Sequence, residues 1–487
     1  MKKIILFILM LSLLMTGCRD PLGPEPEASP EAEEAEPAGD ALSEIHPAAR
    51  VQDQQEMTET QITLCMPKPD SLLPWMISNS YEADLLSLIC EPLWVPGSDG
   101  KPDLVLAESY ELSEDGTYLD VALKKNILFH DGSGLDAGDV YETMRSIRSM
   151  GGWYRGALES VEGMTVVDFY TIRIYLKNPG FYALEELIFP VVPEETGTAA
   201  YPAGTGPYLV SEDSDRRQMR LSAFEDYHGK VPEIPGIRVI YTQDAKSVKQ
   251  AFDSGRSDLF HMDNMPWDEY QFNANYQIDT CPGSSLVFLE FSTAGFGSVL
   301  SNRQKTAWAI DSERVLREAA LGYGYVCETP IRTDYWYGKR IPEAYPYDPE
   351  RAAMVAVSGE NVQTVRLMYD ASDPVLTRAA AAVADCLKEC GMDATLVTFG
   401  DYDLRVVRRD VHLLQGVRMI GAEEALSEAL TEEEVIRVLT GKAMESLEQL
   451  PVYGLFFLDD GAVRNNKSLG NLNPGEVFIY RGIENIR

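Results

Sequence analysis

The stretch of residues 101–147 constrains the fold of this chain more than any other, because strand, turn and helix signals follow one another closely in it. Apolar residues alternate at 118–123 and recur at 127–129, which predicts two strands joined as a hairpin by a polar turn. Gly132 and Gly134 break the second strand, and Asp136 is placed to cap a helix. The apolar face of that helix is Val140, Met144 and Ile147. This succession predicts local structure and specifies no function by itself.

Two strand–helix–strand units are predicted further along the chain. In the first, alternating strands at 237–241 and 259–262 flank a helix with an apolar stripe at 248–252, and the second unit occupies 364–399. Each unit is expected to set its strands parallel in one sheet through a right-handed crossover. Between the units, residues 302–321 predict one long helix. Since 487 residues with 45% hydrophobic content can bury more than one core, two α/β lobes are expected.

Several short strings in this chain match blocks of one protein family and occur in the same order. The matching residues are 106–110, 115–117, 129–132, Ala137, Asp139, the GTGPY string at 204–208 and residues 225–234. Together they resemble the extracellular solute-binding proteins of ABC importers, family 5, the oligopeptide-, dipeptide- and nickel-binding group. The resemblance covers residues from about 60 to 400 well and the tail moderately.

This resemblance implies an α/β, two-lobed, periplasmic-binding-protein-like fold with mixed sheets and a cleft between the lobes. The expected boundaries are lobe I at 58–282 with an inserted subdomain at about 89–200, lobe II at 283–451, and a return to lobe I at 452–487. The implied function is capture of a short peptide or other small solute for the permease of an ABC importer. A monomer without a cofactor is expected.

The resemblance also suggests which side chains border the cleft, and loop-like aromatic residues add further candidates. The candidates are Trp75, Met76, Tyr208, Trp267, Phe291, Ser292, Tyr323 and Trp336. Ser292 stands where the family usually has asparagine. Beyond residue 400 the acidic element that holds a peptide amino group in many members has no clear counterpart. The sequence therefore predicts weak preference for a free amino terminus, and it leaves open a sensor or interaction lipoprotein that no longer serves transport.

Catalytic signatures are missing from the sequence. It contains no Gly-x-Ser-x-Gly elbow, HExxH, P-loop or cofactor-type GxGxxG. His130 with Asp131 could form a proton-transfer pair, and His261 with Asp263 a partial metal site. A single histidine beside an acid is more often a structural hydrogen bond, so we expect neither an enzyme nor a metal site.

The N-terminal residues predict an export signal and a lipid anchor. Lys2 and Lys3 precede an apolar segment at 4–15 that is too short to span a bilayer, and Cys18 follows small residues. This layout resembles the lipobox of bacterial lipoproteins, which implies cleavage after residue 17 and lipidation of Cys18; an ordinary signal peptide remains the alternative. Residues 18–57, rich in Pro, Glu and Ala, predict a disordered acidic tether. The expected location is the extracytoplasmic face of the cell membrane.

The net charge of −35 argues against nucleic acid or anionic lipid as a direct partner, because both would be repelled. Apart from Cys18, the six cysteines would allow fifteen disulfide connectivities. Their apolar settings favour buried free thiols over disulfides, and the sequence does not decide between the two.

Overall fold

The computed structural model describes residues 61–483 except 179, 181–182, 197–199, 212–213, 216, 263–267, 359–363, 467–471, 473 and 476–477. The described residues all fall within one structural unit, 58–487. Cys18 and the predicted tether lie outside them.

Strands of the described residues include two that are much longer than the others, β12 and β17. The strands are β1 (Gln61–Pro67), β2 (Trp94–Pro96), β3 (Pro102–Leu104), β4 (Ala107–Leu112), β5 (Tyr118–Leu123), β6 (Val161–Asp168), β7 (Thr171–Leu176), β8 (Tyr208–Val210), β9 (Gln218–Ala223), β10 (Gly236–Thr242), β11 (Leu259–His261), β12 (Tyr276–Phe291), β13 (Gly324–Val326), β14 (Val365–Met368), β15 (Ala394–Val397), β16 (Leu404–Asp410) and β17 (Val452–Asn465).

Helices alternate with these strands. They are α1 (Ser80–Ser87), α2 (Ala137–Met150), α3 (Ala183–Glu186), α4 (Ala245–Asp253), α5 (Asp268–Gln271), α6 (Leu300–Ala309), α7 (Ser312–Ala320), α8 (Pro349–Met354), α9 (Pro374–Glu389), α10 (Leu413–Met419), α11 (Glu423–Leu426) and α12 (Glu432–Gln449). No helix among the described residues combines the length and the apolar character that crossing a bilayer requires.

Two of the four sheets among the described residues are mixed, as predicted. One has the order β1-β10-β9-β8, another is the antiparallel set β4-β5-β7-β6, and β2 pairs with β3. The largest has the order β11-β17-β12-β16-β14-β15, with β13 also on β17. In it β14 runs parallel to both β15 and β16, whereas β12 runs antiparallel to β16 and β17.

Two large hydrophobic cores share the long strands β12 and β17. The first core takes its residues mainly from between 62 and 261 and adds residues near the end of the chain, such as Phe478 and Ile483. The second core consists of residues between 287 and 458. A smaller third core consists of residues between 331 and 443. Because β12 and β17 pair along most of their length, they connect the cores as one antiparallel ribbon. The lobe boundaries drawn from sequence stay a prediction.

The hairpin predicted for residues 127–129 is wrong. Strand β5 pairs with β4 on one side and β7 on the other, so neither of its edges is free for a further strand. Residues 127–135 instead close a tight loop in which the Leu135 N–H donates to Ile127 O, 3.0 Å away. The predicted cap of α2 is confirmed: Asp136 accepts from the Gly138 N–H at 2.6 Å, and Asp139 completes a capping box.

The first strand–helix–strand unit forms its elements but pairs its strands differently from the prediction. Both edges of β10 are occupied, by β1 and β9, so β11 joins the other sheet beside β17. The second unit is confirmed, since β14 and β15 are parallel neighbours joined by α9.

The long helix predicted at 302–321 is divided into α6 and α7. Ile310 is extended at the end of α6, and the Asp311 carboxylate accepts from the Arg314 N–H at 2.9 Å, which starts a new helix. The six cysteines in the described residues are buried and none forms a disulfide, in agreement with the expected free thiols.

The GTGPY string packs against His130 and the end of α1. Gly206 N–H donates to Ile89 O at 2.8 Å, and His130 lies near Gly206 O through Nε2 at 2.9 Å and near Gly204 N through Nδ1 at 3.1 Å. These contacts require a neutral imidazole with its proton on Nε2, and burial lowers the pKa of His130 accordingly. His130 is therefore a structural hydrogen-bonding residue, and two of the matched strings hold each other in place.

We predict that Gly204→Ala destabilises the protein strongly, because an added Cβ would overlap the carbonyl oxygen of Ile89. The expected loss is about 3 kcal/mol of unfolding free energy or more, measured by chemical denaturation. Gly134→Ala is the matched control, since a Cβ there meets no atom within 4 Å. Equal stability of the two variants would contradict the proposed packing.

Candidate functional site

A cavity of about 530 Å³ lies between the two large cores. The first core contributes Ala83, Tyr154 and Ile188 to one side of the cavity. Residues from β12, β16 and β17 form the opposite side. The register of β12 against β17 is irregular between Pro282 and Leu286, and Gly283, Ser284 and Ser285 of this bulge form part of the wall. Bulges commonly re-aim a strand beside a binding site.

A buried histidine joins the two sides of the cavity at its wall. His261, at the end of β11, lies 2.8 Å through Nδ1 from Asp84 of α1 and 2.8 Å through Nε2 from Asp460 of β17. Burial opposes its charge, but the two carboxylates outweigh that effect and raise the pKa of His261 well above its ordinary value. His261 is therefore an imidazolium that donates to both acids, so its charge is already neutralised within the protein.

Arg332 is also committed to internal partners. Its guanidinium lies 2.6 Å from Asp334, donates to Gly283 O at 3.0 Å and stacks 3.9 Å from the ring centre of Tyr335. Only 4% of the residue is exposed. It therefore supports the bulge and the aromatic wall and offers little charge to a ligand.

Taken as a whole, the charged groups of the cavity wall are predominantly acidic. Its seven carboxylates, set against one guanidinium and two imidazoles, are Asp84, Glu159, Glu185, Glu186, Asp410, Asp459 and Asp460. Burial raises the pKa of Asp459 to about 6 and that of Glu186 to about 7, because no cation fully compensates either group. Asp410 is exposed at the end of β16, and its side chain makes no hydrogen bond within the described residues. The cavity is thus suited to a ligand that brings positive charge.

Seven of the eight side chains predicted to border the cleft are described, and none of them lines this cavity. Trp75 and Tyr323 are half-buried against hydrophobic clusters, Met76 is exposed on the surface, and Tyr208 is fully buried and donates to Ile234 O at 3.2 Å. Phe291 packs in the second core, and the Ser292 hydroxyl accepts from the Ala294 N–H at 3.2 Å. Trp336 packs on Tyr337 and lies near Lys101. Trp267 lies outside the described residues. Ligand contact by these residues stays a prediction.

The eight cleft candidates drawn from the sequence do not include the acids and the aromatic residues that line the cavity. Tyr335 and Tyr337 flank the predicted Trp336, so the loop was identified but not its inward-facing residues. The sequence suggested Asp263 only as the second residue of a partial metal site with His261, and Asp263 lies outside the described residues. In the structure Asp84 and Asp460 contact His261. Within the described ranges, no cluster of three or more His, Cys, Asp or Glu side chains is arranged to hold a metal ion.

Comparison of the sequence with known proteins gives matches over most of the folded part of the chain. A model of the bacterial extracellular solute-binding proteins, family 5 Middle, matches residues 101–419. The nickel-binding periplasmic protein of Escherichia coli (strain K12) is 24% identical over 359 residues, covering 66% of this chain and 68% of the relative. The dipeptide-binding protein of the same strain is 23% identical over 380 residues, covering 69% and 71%.

A solved structure shares the fold. The ABC transporter substrate-binding protein from Sinorhizobium meliloti superposes with a TM-score of 0.73 at 18% identity, covering 88% of this chain and 99% of that one. Since the family model matches well over half of the 487 residues, the chain belongs to the bacterial extracellular solute-binding proteins of family 5, which are substrate-binding proteins of ABC importers and not enzymes.

Proposed function

We propose that this protein is a lipid-anchored extracytoplasmic receptor that captures a short peptide, or a solute of similar size with a free ammonium group, and delivers it to an ABC importer permease. The observation that carries the proposal is the excess of carboxylates in the cavity between the cores. A volume of about 530 Å³ falls in the usual range of small-molecule sites. The relatives named for nickel and dipeptide binding are in keeping with small solutes.

Asp410 is the acid best suited to hold an amino group. It ends β16, pairs in register with Ser285 of the β12 bulge, and keeps an exposed carboxylate without a partner among the described residues. An ammonium group there would make charge-assisted hydrogen bonds, while backbone groups of the bulge could meet the peptide main chain. Asp401 and Asp403 are less suited, because neither lines the cavity and both lie beside Arg366.

From the sequence, no acid was identified that could hold an amino group, and weak preference for a free amino terminus was expected. With Asp410 proposed in that role, we expect a clear preference instead. We predict that Ala-Ala-Ala amide binds at least tenfold more tightly than its N-acetylated form, a difference of about 1.4 kcal/mol. Asp410→Asn should remove most of that preference by weakening only the free-amine peptide. Calorimetry on both peptides measures the effect.

Asp401→Asn is the matched control, since that side chain is 94% exposed and lies outside the cavity wall. Equal affinity of wild type for the free and acetylated peptides would contradict the role of Asp410. Failure of any peptide to bind would instead favour a sensor of the same fold that no longer serves transport.

Membrane attachment is proposed through Cys18. The support is the short apolar segment at 4–15 followed by small residues before the cysteine. We predict that Cys18→Ser releases the protein from the membrane fraction, because the lipidated residue is lost and the acidic chain has no attraction for anionic lipid. Cell fractionation and immunoblotting measure it, with Ser29→Ala as a control in the predicted tether. Unchanged sedimentation of Cys18→Ser with membranes would overturn the anchor.

A further inference from the structure

A second group of carboxylates lies on the part of the cavity wall contributed by residues before β8. Glu185 and Glu186 end the short helix α3, and Glu159 lies beside them in the wall. The Tyr337 hydroxyl lies 3.5 Å from Glu185 Oε2. Glu186 Oε2 is shielded from solvent and meets no donor with hydrogen-bond geometry in the described residues. A buried carboxylate oxygen without a donor calls for an explanation, such as a cation that arrives with a ligand.

Two basic side chains lie near Glu186: Arg418, which pairs with other acids, and His412, which is exposed to solvent. Arg418 lies 3.0 Å from Glu159 and 3.4 Å from Glu423, so its guanidinium is shared between two other acids. Burial raises the pKa of Glu186 to about 7, helped by the charge of Glu159. The Ser160 hydroxyl, Arg418 and the exposed His412 lower that pKa and offset burial only in part. The protein itself therefore leaves this carboxyl partly neutral near physiological pH.

One aromatic side chain contacts these acids, and a second shares their cavity wall. Trp153, which is 52% exposed, and the buried Tyr337 belong to the same cavity wall. A guanidinium or ammonium group gains from an aromatic face as well as from a carboxylate, and a planar guanidinium can donate two parallel hydrogen bonds to one carboxylate. The wall thus combines the two kinds of group that recognise a cationic side chain.

We infer that Glu185 and Glu186 form a second cationic subsite, so that the preferred ligand carries two positive groups, one at Asp410 and one at Glu186. This inference rests on the proposed function of the cavity. The ligand class is a short peptide with a free amino terminus and an arginine or lysine side chain, or a polyamine of comparable length. Both share the same chemistry, two separated cations on one flexible chain.

The test compares two peptides that differ in charge alone. Ala-Ala-Arg amide and Ala-Ala-citrulline amide have nearly the same shape, but citrulline is neutral. Wild type should bind the arginine peptide at least tenfold more tightly by calorimetry, and Glu186→Gln should reduce that preference to about twofold or less. Glu162→Gln, an exposed change outside the cavity wall, is the matched control. Melting curves establish that both variants are folded.

Proton release supplies a second readout that a purely structural glutamate would not change. A bound cation favours ionised Glu186, so binding at pH 7 should release about half a proton, because a carboxyl with a pKa of about 7 is half protonated there. For the same reason, affinity for the arginine peptide should rise as the pH increases from 6 to 7, below the range in which the peptide amino terminus loses its proton. Calorimetry in buffers of different ionisation enthalpy measures the release, which Glu186→Gln should abolish.

Spermidine separates the inference from the peptide proposal. If both peptides bind equally well and Glu186→Gln changes neither, the cationic subsite is overturned and peptide capture stands. If spermidine binds in a Glu186-dependent way and no peptide binds, the subsite stands and peptide capture falls. If neither spermidine nor any peptide binds, both are overturned.

Discussion

The ion-pair chain of Asp84, His261 and Asp460 ties three elements that are far apart in the chain and forms part of the cavity wall. It links α1 of the first core to β11 and to β17, one of the two long strands shared by both cores. Removing one member of such a buried group leaves an uncompensated charge, which typically costs about 3–5 kcal/mol. The group also lines the cavity, so the contacts that join these elements shape the cavity wall as well.

Some charged groups in the interior are paired with an opposite charge, unlike two acids of the cavity wall. Arg464 and Asp279 pair at 2.6 Å across β12 and β17, and both are almost fully buried. Arg332 likewise pairs with Asp334. On the cavity wall, by contrast, Asp410 and Glu186 retain carboxylate oxygens without donors among the described residues. Glu186 keeps a shielded oxygen without a donor, which is costly, whereas Asp410 keeps an exposed carboxylate at the end of β16.

Errors in the sequence-based predictions have a common physical origin. The hairpin at 127–129 and the pairing of β11 with β10 both failed because β5 and β10 already have two neighbours each. Edge occupancy is a property of the whole sheet and is invisible in a local pattern of apolar residues. Trp336 shows a similar limit in a loop. Tyr335 and Tyr337 line the cavity and Trp336 does not, and outside a regular helix or strand the sequence pattern does not predict the direction of each side chain.

The sequence by itself determined the features that depend on neighbouring residues: the Asp136 cap, the parallel pair around α9, and the strings that identify the family. Such features are local because capping bonds and glycine contacts require fixed residue types at fixed spacing. Only the tertiary structure decided which acids share the cavity. Asp84, Asp410 and Asp460 lie on three elements far apart in the chain, and among 77 acidic residues nothing distinguishes them until folding buries some, pairs others and leaves a few facing the cavity.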